Sequence, residues 1–98
     1  MTFEVVFTRE ADADLEAITD TRTRAAIIRK ASELETEPMA KGKPLSGSLK
    51  DYRSLRAAGQ RYRTIYQVGV LEGRVTVVVI GIRQEDDKRD VYGVAGKR

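Results

Sequence analysis

Basic residues in the second half of the chain are its strongest candidates for chemistry. Between Lys41 and Arg63 the sequence carries seven bases and one acid, Asp51, whereas residues 1–37 carry nine acids and five bases. Guanidinium groups bind phosphate oxygens through paired N–H donors and stay charged at neutral pH. A positive field confined to one part of a small protein attracts polyanions. We therefore expect this segment to meet a polyanion, with RNA favoured over ordinary solvated surface.

Other kinds of chemistry lack their usual residues. The chain has no cysteine and no histidine, which removes disulfides, thiolate nucleophiles, and the commonest metal ligand and neutral-pH base. We expect neither a metal nor a cofactor. The N-terminus does not resemble a signal peptide, and the longest apolar run, residues 77–82, is far shorter than the ~20 residues of a membrane span. These features predict a cytoplasmic protein with no membrane partner.

The first part of the chain predicts a strand followed by a helical hairpin. Residues 3–7 alternate between apolar and other residues, as a half-buried strand does. Thr8 and Asp20 are suited to cap two helices, the first running to about Ile18 and the second stopped by Pro38. A short connection between two such helices favours an antiparallel pair.

Beyond a loop at residues 38–48, the apolar period changes to two. This predicts an antiparallel meander of three strands at residues 49–57, 61–68 and 74–83, the third of them central in the sheet. The polar tail is expected to end in a short helix. The expected fold class is α+β, one domain over residues 1–98, with the helices on one face of an antiparallel sheet.

Alternation along these strands decides which basic residues share a face. On the first meander strand Arg56 and Arg53 point to opposite faces. If the faces of Arg56, Arg63 and Arg83 coincide, three fixed cations line a shallow concavity that suits a phosphodiester. Gly81 would leave space beside Arg83 for a backbone or a flat ligand.

Several segments together resemble a known family in their order and spacing. They resemble the RelE/ParE superfamily of bacterial and archaeal toxin–antitoxin toxins, and the segments are residues 7–11, 14–15, 43–47, 49–68, 77–83 and 90–92. The resemblance implies a toxin that is neutralised by a small cognate antitoxin protein. RelE-like members cut mRNA in the ribosomal A site through the 2′-hydroxyl beside the scissile phosphate, whereas ParE-like members poison DNA gyrase.

The resemblance also implies roles for individual residues. Arg63 matches the arginine that stabilises the phosphate, and Arg83 matches the one that assists the leaving 5′-oxygen. Tyr92 matches the tyrosine that stacks on or orients the substrate base, and Arg56 matches a basic residue of the first meander strand. These four are the predicted catalytic residues. The predicted RNA-binding residues are Lys50, Arg53, Arg61, Lys88 and Arg89.

Two departures keep the functional alternatives open. Tyr52 and Ser54 stand where the best-studied RelE members have lysines, which favours a ParE-like gyrase inhibitor without catalytic activity of its own. Arg83 and Tyr92 are also further apart than in those members. Arg63, Arg83 and Tyr92 together favour the endonuclease, and a non-catalytic RNA-binding or antitoxin-binding module is a third alternative. From packing alone, Tyr92 would be expected to dock the terminal helix on the sheet.

Overall fold

A computed structural model describes residues 2–59, 61–82 and 91–98. Within these ranges the elements are β1 (Glu4–Phe7), α1 (Arg9–Glu16), α2 (Thr21–Ser32), β2 (Lys43–Pro44), β3 (Arg53–Ala57), β4 (Tyr62–Gly69), β5 (Arg74–Ile82) and α3 (Val91–Lys97). The predicted α+β class is confirmed. None of the helices in the described ranges has the length and apolar character needed to cross a membrane.

Both N-terminal helices begin where capping side chains were predicted. The Thr8 hydroxyl accepts a hydrogen bond from the Ala11 N–H at 3.1 Å, and the Asp20 carboxylate accepts one from the Arg22 N–H at 3.0 Å. A further bond from the Thr23 hydroxyl is the main cause that lowers the pKa of Asp20. Each cap satisfies an amide that the first helical turn leaves without a partner.

The predicted helix boundaries extend further than the helices themselves. The first helix ends at Glu16 instead of about Ile18, and the second ends at Ser32 instead of continuing to Pro38. A tighter 3₁₀ turn, Glu33–Glu35, follows the second helix directly. Short 3₁₀ turns commonly complete α-helix ends because the last carbonyls lack intrahelical partners.

The sheet runs in the order β1-β5-β4-β3-β2. The meander of β3, β4 and β5 is antiparallel, as predicted. The prediction of a wholly antiparallel sheet was wrong, because β1 pairs with β5 in parallel. The helical hairpin and the meander supply the long connection that two parallel strands require. With β1 on one side and β4 on the other, β5 occupies the interior position that its apolar run predicted.

The segment that leads into the meander differs from its prediction. Residues 49–52 do not join the strand, because local bonds between residues three apart form a 3₁₀ turn at Gly47–Leu49. The strand begins only at Arg53. Inside the predicted loop, β2 is a two-residue strand that pairs Lys43 with Ser54 and Pro44 with Arg53.

Helices cover both faces of the sheet. On one face, Ile27 and Leu34 join a core with Tyr66 and Val77, and α1 and α2 lie there as predicted. On the other face, α3 packs its buried Val91 and Ala95 against Ile65 and Val79. The predicted placement of the two hairpin helices on one face is confirmed, and α3, whose face was not predicted, covers the other face.

Gly81 allows the close approach of α3. A methyl group built on Gly81 would lie 3.4 Å from the Cβ and Cγ2 atoms of Val91. Of the two expectations for this glycine, the approach of a backbone segment is the one observed, because Val91 of α3 lies against it. Gly81 thus serves helix packing, and the ligand space must lie elsewhere on this face.

A polar network ties the end of α3 to α1 and β5. Arg98 donates two hydrogen bonds to the Asp14 carboxylate, at 2.7 and 3.1 Å, and a third to the Val78 carbonyl at 2.9 Å. Asp14 also accepts the Ile80 N–H at 3.1 Å. The bonds to Asp14 are the main cause that raises the pKa of Arg98. We call Asp14, Arg98 and these two backbone groups the Asp14–Arg98 clasp.

Candidate functional site

Two of the predicted catalytic arginines lie directly opposite each other on neighbouring strands. Arg56 of β3 pairs in register with Arg63 of β4, and such partners project from the same face of an antiparallel sheet. Arg56 is exposed, whereas only 7% of Arg63 is accessible. Arg63 donates a hydrogen bond to the Tyr62 carbonyl at 3.1 Å, which orients its guanidinium group. Two facing cations suit an anion that both can contact.

The phenol of Tyr92 reaches the same face from α3. Its hydroxyl lies 3.1 Å from the Ser54 hydroxyl, and either group can be the donor. Ser54 is buried and stands two residues before Arg56 on β3, so the two side chains share a face. Tyr92 also packs against the apolar cluster beneath α3. The residue therefore docks the helix, as packing alone predicted, while its hydroxyl lies beside the arginine pair.

These side chains line a cleft of about 650 Å³. Its polar and charged lining includes Lys30, Lys43, Ser54, Arg56, Arg63 and Tyr92. Among the described residues, no aspartate or glutamate lines it. The described residues of the lining therefore contribute positive charge to the cleft and no negative charge.

The remaining predicted RNA-binding residues are not gathered in the cleft. Arg53 points to the opposite face, where it donates to the carbonyls of Lys41 and Gly42 at 3.3 and 3.4 Å. Lys50 and Arg61 are exposed on turns outside the cleft lining. The other predicted site residues lie outside the described ranges: Arg83, Lys88 and Arg89.

Two cations of the cleft were not among the predicted site residues, although one of them, Lys43, stands in the basic segment that was expected to meet a polyanion. Lys30 belongs to α2 in the acidic half of the chain, and Lys43 belongs to the short strand β2. The available signal for Lys30 was its position beside Ile27 and Ala31, the buried stripe that turns α2 toward the sheet. Which strand α2 approaches cannot be read from that stripe.

A loop held by Tyr66 positions Lys43. The Tyr66 hydroxyl lies 2.7 Å from the Lys41 carbonyl and 3.0 Å from the Pro38 carbonyl. Its single proton is therefore shared between the two carbonyls in a bifurcated hydrogen bond. Burial is the main cause that raises the pKa of Tyr66. Gly42 follows in the left-handed region, with φ of 65°. This turn directs the chain into β2 at the rim of the cleft.

The arrangement can supply fixed positive charge and hydroxyl groups. Guanidinium groups remain protonated at neutral pH, which suits them to stabilise an anion and not to act as a base. The described residues contain no group of three or more histidine, cysteine, aspartate or glutamate side chains that could hold a metal ion. Electrostatic stabilisation of a phosphate is the chemistry that these groups perform best.

Comparison with known proteins identifies the family. The family model described as the ParE toxin of the type II toxin–antitoxin system, parDE, matches residues 5–87. The chain belongs to the RelE/ParE superfamily of type II toxin–antitoxin toxins. The recognition made from the sequence motifs is confirmed.

Solved structures of both branches of the superfamily resemble this toxin. The RelBE2 toxin–antitoxin complex from Mycobacterium tuberculosis has a chain with 30% identity and a TM-score of 0.76, covering 85% of this chain and 93% of that one. A mutant E. coli toxin RelE in the free state has 23% identity and a TM-score of 0.79, covering 100% and 98%. The chromosomal ParDE system from P. aeruginosa has 17% identity and a TM-score of 0.70, covering 83% and 96%. No curated protein matches this toxin.

Proposed function

We propose that this toxin is a ribosome-dependent mRNA endonuclease that cuts by attack of the 2′-hydroxyl on the adjacent phosphorus. The observation that carries the proposal is the in-register pair of Arg56 and Arg63. Side chains directly opposite each other on neighbouring strands are close enough to contact one ligand. Two guanidinium groups in this arrangement can both donate to the oxygens of a single phosphodiester, which is a reason for such a pair in a nuclease.

In this reaction the bond from the 2′-oxygen to phosphorus forms while the bond from phosphorus to the 5′-oxygen breaks. The products are a 2′,3′-cyclic phosphate and a 5′-hydroxyl end. Arg63, which is oriented by the Tyr62 carbonyl, contacts a non-bridging oxygen where negative charge grows. Arg56 contacts the same phosphate from the exposed side. Positioning and charge stabilisation supply most of the acceleration in such displacements.

Tyr92 and Arg83 complete the proposed machinery. The Ser54 hydroxyl holds the Tyr92 phenol at 3.1 Å, and we assign Tyr92 to orient the base next to the scissile bond. We assign Arg83 to stabilise the leaving 5′-oxygen, a role that rests on the family resemblance. In this scheme water or a ribosomal group accepts the proton of the 2′-hydroxyl, and a water molecule donates the proton that turns the leaving 5′-oxygen into a hydroxyl. Lys50 and Arg61, together with Lys88 and Arg89, are proposed to contact phosphates further along the RNA.

The test is a translation reaction with a defined mRNA, followed by primer extension to locate cuts. The variants Arg56→Gln and Arg63→Gln should each lower the cutting rate by about 10²-fold or more, the usual effect of removing one charge-stabilising donor. Arg74→Gln is the matched control. Arg74 is exposed and begins β5, whereas Arg63 lies beside Gly81 near the end of that strand. Circular dichroism establishes that each variant folds.

Two results would refute the proposal. One is an intact mRNA after incubation with active ribosomes and the parent toxin. The other is cutting by folded Arg56→Gln and Arg63→Gln variants at the rate of the Arg74→Gln control. Cuts at the A site that both variants lose would support it.

The second candidate function is inhibition of DNA gyrase without catalysis by the toxin itself. Two observations favour it: the matching family model describes ParE toxins, and Ser54 stands where RelE-like toxins have a lysine. A supercoiling assay with purified gyrase separates the candidates. Blocked supercoiling together with intact mRNA supports this alternative.

We also propose that a cognate antitoxin binds and neutralises this toxin in the cytoplasm. Two solved structures of similar proteins support this, since they are complexes of E. coli RelE with RelB or with a RelB peptide. Co-expression with its cognate antitoxin should yield a stable complex and restore growth. Growth arrest that persists despite a stable complex would exclude neutralisation by that partner.

A further inference from the structure

We infer that the cleft contains a second phosphate subsite, formed by Lys30 and Lys43, which holds a phosphate neighbouring the one between Arg56 and Arg63. The ligand class is a single-stranded polynucleotide that crosses the open edge of β3. The inference deepens the proposed nuclease function, since it takes the polyanion of that site as its ligand. It concerns binding, so it can be measured without cleavage.

The edge of β3 is open because its neighbour is very short. β2 pairs only with Arg53 and Ser54, so the edge of β3 beyond Ser54 borders the cleft. Alternation sends Leu55 to the face of α2 and Arg56 to the face of α3. The cleft is lined by both of these residues. It therefore continues over the edge from one face of the sheet to the other.

The cations follow one another along the cleft. Arg56 of β3 and Arg63 of β4 lie on the α3 side. Lys43 of the edge strand β2 pairs with Ser54 and so shares that side, whereas Lys30 reaches the cleft from α2. Ligand sites of about 300–1,000 Å³ bury molecules much larger than one phosphate group. A phosphodiester held by the two arginines would leave the lysine end of this cleft, of about 650 Å³ in all, for the adjoining nucleotide.

The structure separates these cations from neighbouring basic residues that stabilise the fold. Lys41 donates its ammonium hydrogens to the carbonyls of Glu33 and Thr36 at 2.6 and 2.8 Å. Arg53 is similarly engaged with loop carbonyls on the opposite face. Lys43, two residues from Lys41, is exposed at the rim. The basic segment thus divides into structural cations and cleft cations.

The chemical types of the cations fit the two ends. An arginine fork imposes fixed geometry, which suits the reacting phosphate, whereas a lysine ammonium on a flexible stem tolerates a phosphate of variable position. Lys30 forms an ion pair with Glu33 at 3.8 Å, with both side chains 48% exposed. Exposed pairs of this kind are worth little. Lys30 can therefore leave Glu33 and bind a phosphate with only a small loss of free energy from the broken ion pair.

The test measures binding of a short oligodeoxynucleotide, which lacks the 2′-hydroxyl and cannot be cut by the proposed reaction. Fluorescence anisotropy gives its Kd over a series of salt concentrations. Removing one single-strand phosphate contact lowers the slope of log K against log salt by ~0.7, which is about fivefold in Kd near 0.1 M salt. Lys30→Gln and Lys43→Gln should each show part of this change, and the double variant should show all of it. Arg29→Gln, an exposed cation on the same helix, should keep the parent slope.

Ligand length distinguishes a subsite from a general positive field. A deoxydinucleotide with one internal phosphate, used as a competitor, should bind the lysine variants as well as it binds the parent. A deoxytetranucleotide should bind them less tightly. The inference would be overturned if the salt slope did not change in Lys30→Gln and Lys43→Gln. It would also be overturned if these variants lost the same affinity for the dinucleotide as for the tetranucleotide.

This experiment fails independently of the proposed function. If the slope of log K against log salt falls in the lysine variants while mRNA is not cut in translation, the subsite is supported and the nuclease function is refuted. If mRNA is cut but the slopes match that of Arg29→Gln, the nuclease stands and the subsite is refuted.

Discussion

The Asp14–Arg98 clasp yields a stability prediction whose magnitude follows from its geometry. Replacing Asp14 by asparagine keeps an oxygen that can accept the Ile80 N–H but removes the negative charge that faces Arg98. The side chains of Asp14 and Arg98 are 21% and 26% exposed, and two hydrogen bonds join them at 2.7 and 3.1 Å. Solvent therefore screens this pair less than it screens most surface pairs.

Hydrogen bonds to charged groups contribute about 1.5–3 kcal/mol each, and bonds that share one carboxylate are not additive. We expect Asp14→Asn to lower the free energy of unfolding by about 1–2 kcal/mol. Asp14→Ala also removes the acceptor of the Ile80 N–H, and we expect it to cost about 2–3 kcal/mol. The cost of Asp14→Ala should be larger because β1 pairs with β5 only from Arg74 to Val77. No carbonyl of β1 can therefore replace Asp14 as the acceptor of the Ile80 N–H.

Glu4→Gln provides the control for this comparison. Glu4 pairs with Arg74 through one bond at 3.3 Å, and the two side chains are 67% and 51% exposed. Such an exposed pair contributes only about 0–1 kcal/mol. Urea unfolding followed by circular dichroism gives the three free energies. Equal losses for Asp14→Asn and Glu4→Gln would refute the view that burial and bidentate geometry make the clasp strong.

Two further predictions concern the loop at the rim of the cleft. Tyr66→Phe should cost about 1–2 kcal/mol, because the Lys41 carbonyl loses its hydroxyl donor. Since burial raises the pKa of Tyr66 above its ordinary 10.0, this phenol's contribution to stability is present below pH 10 and lost as pH rises through the folded pKa. Urea unfolding should therefore show a parent–variant difference that shrinks at alkaline pH, and a constant difference would contradict the reasoning. Gly47→Ala should cost about 1–2 kcal/mol for its φ of 64°, whereas Gly42→Ala should cost more, because its Cβ would lie 2.6 Å from the Tyr66 oxygen. Equal melting temperatures for the two alanine variants would contradict this steric argument.

Local sequence signals predicted the elements whose formation depends on nearby residues. Thr8 and Asp20 cap their helices because the bonds that they accept come from amides two or three residues away. The meander could be predicted from apolar alternation and from turn residues such as Gly59 and Gly73, both of which have positive φ. These interactions are short in sequence, so a single chain is enough to reveal them.

Long-range pairing could not be predicted in the same way. Whether β1 joins β5 in a parallel or an antiparallel sense depends on the path of about 65 intervening residues, and no local pattern encodes that path. On the second face, Val91 of α3 packs against Gly81. From the sequence, the same glycine suggested that either a backbone or a flat ligand would approach. A small residue indicates close approach without indicating what approaches.

Strand alternation predicted only part of the geometry of the candidate site. Alternation predicted correctly that Arg53 and Arg56 point to opposite faces, but the register that sets Arg56 opposite Arg63 depends on how the hairpin closes at residues 58–61. A shift of one residue would have placed Arg56 opposite Tyr62 or Thr64 and removed the facing pair. The same basic segment would then have had the same charge and no facing arginine pair. In the nuclease that we propose, the register of β3 on β4, and not the number of arginines, decides whether a phosphate can be held.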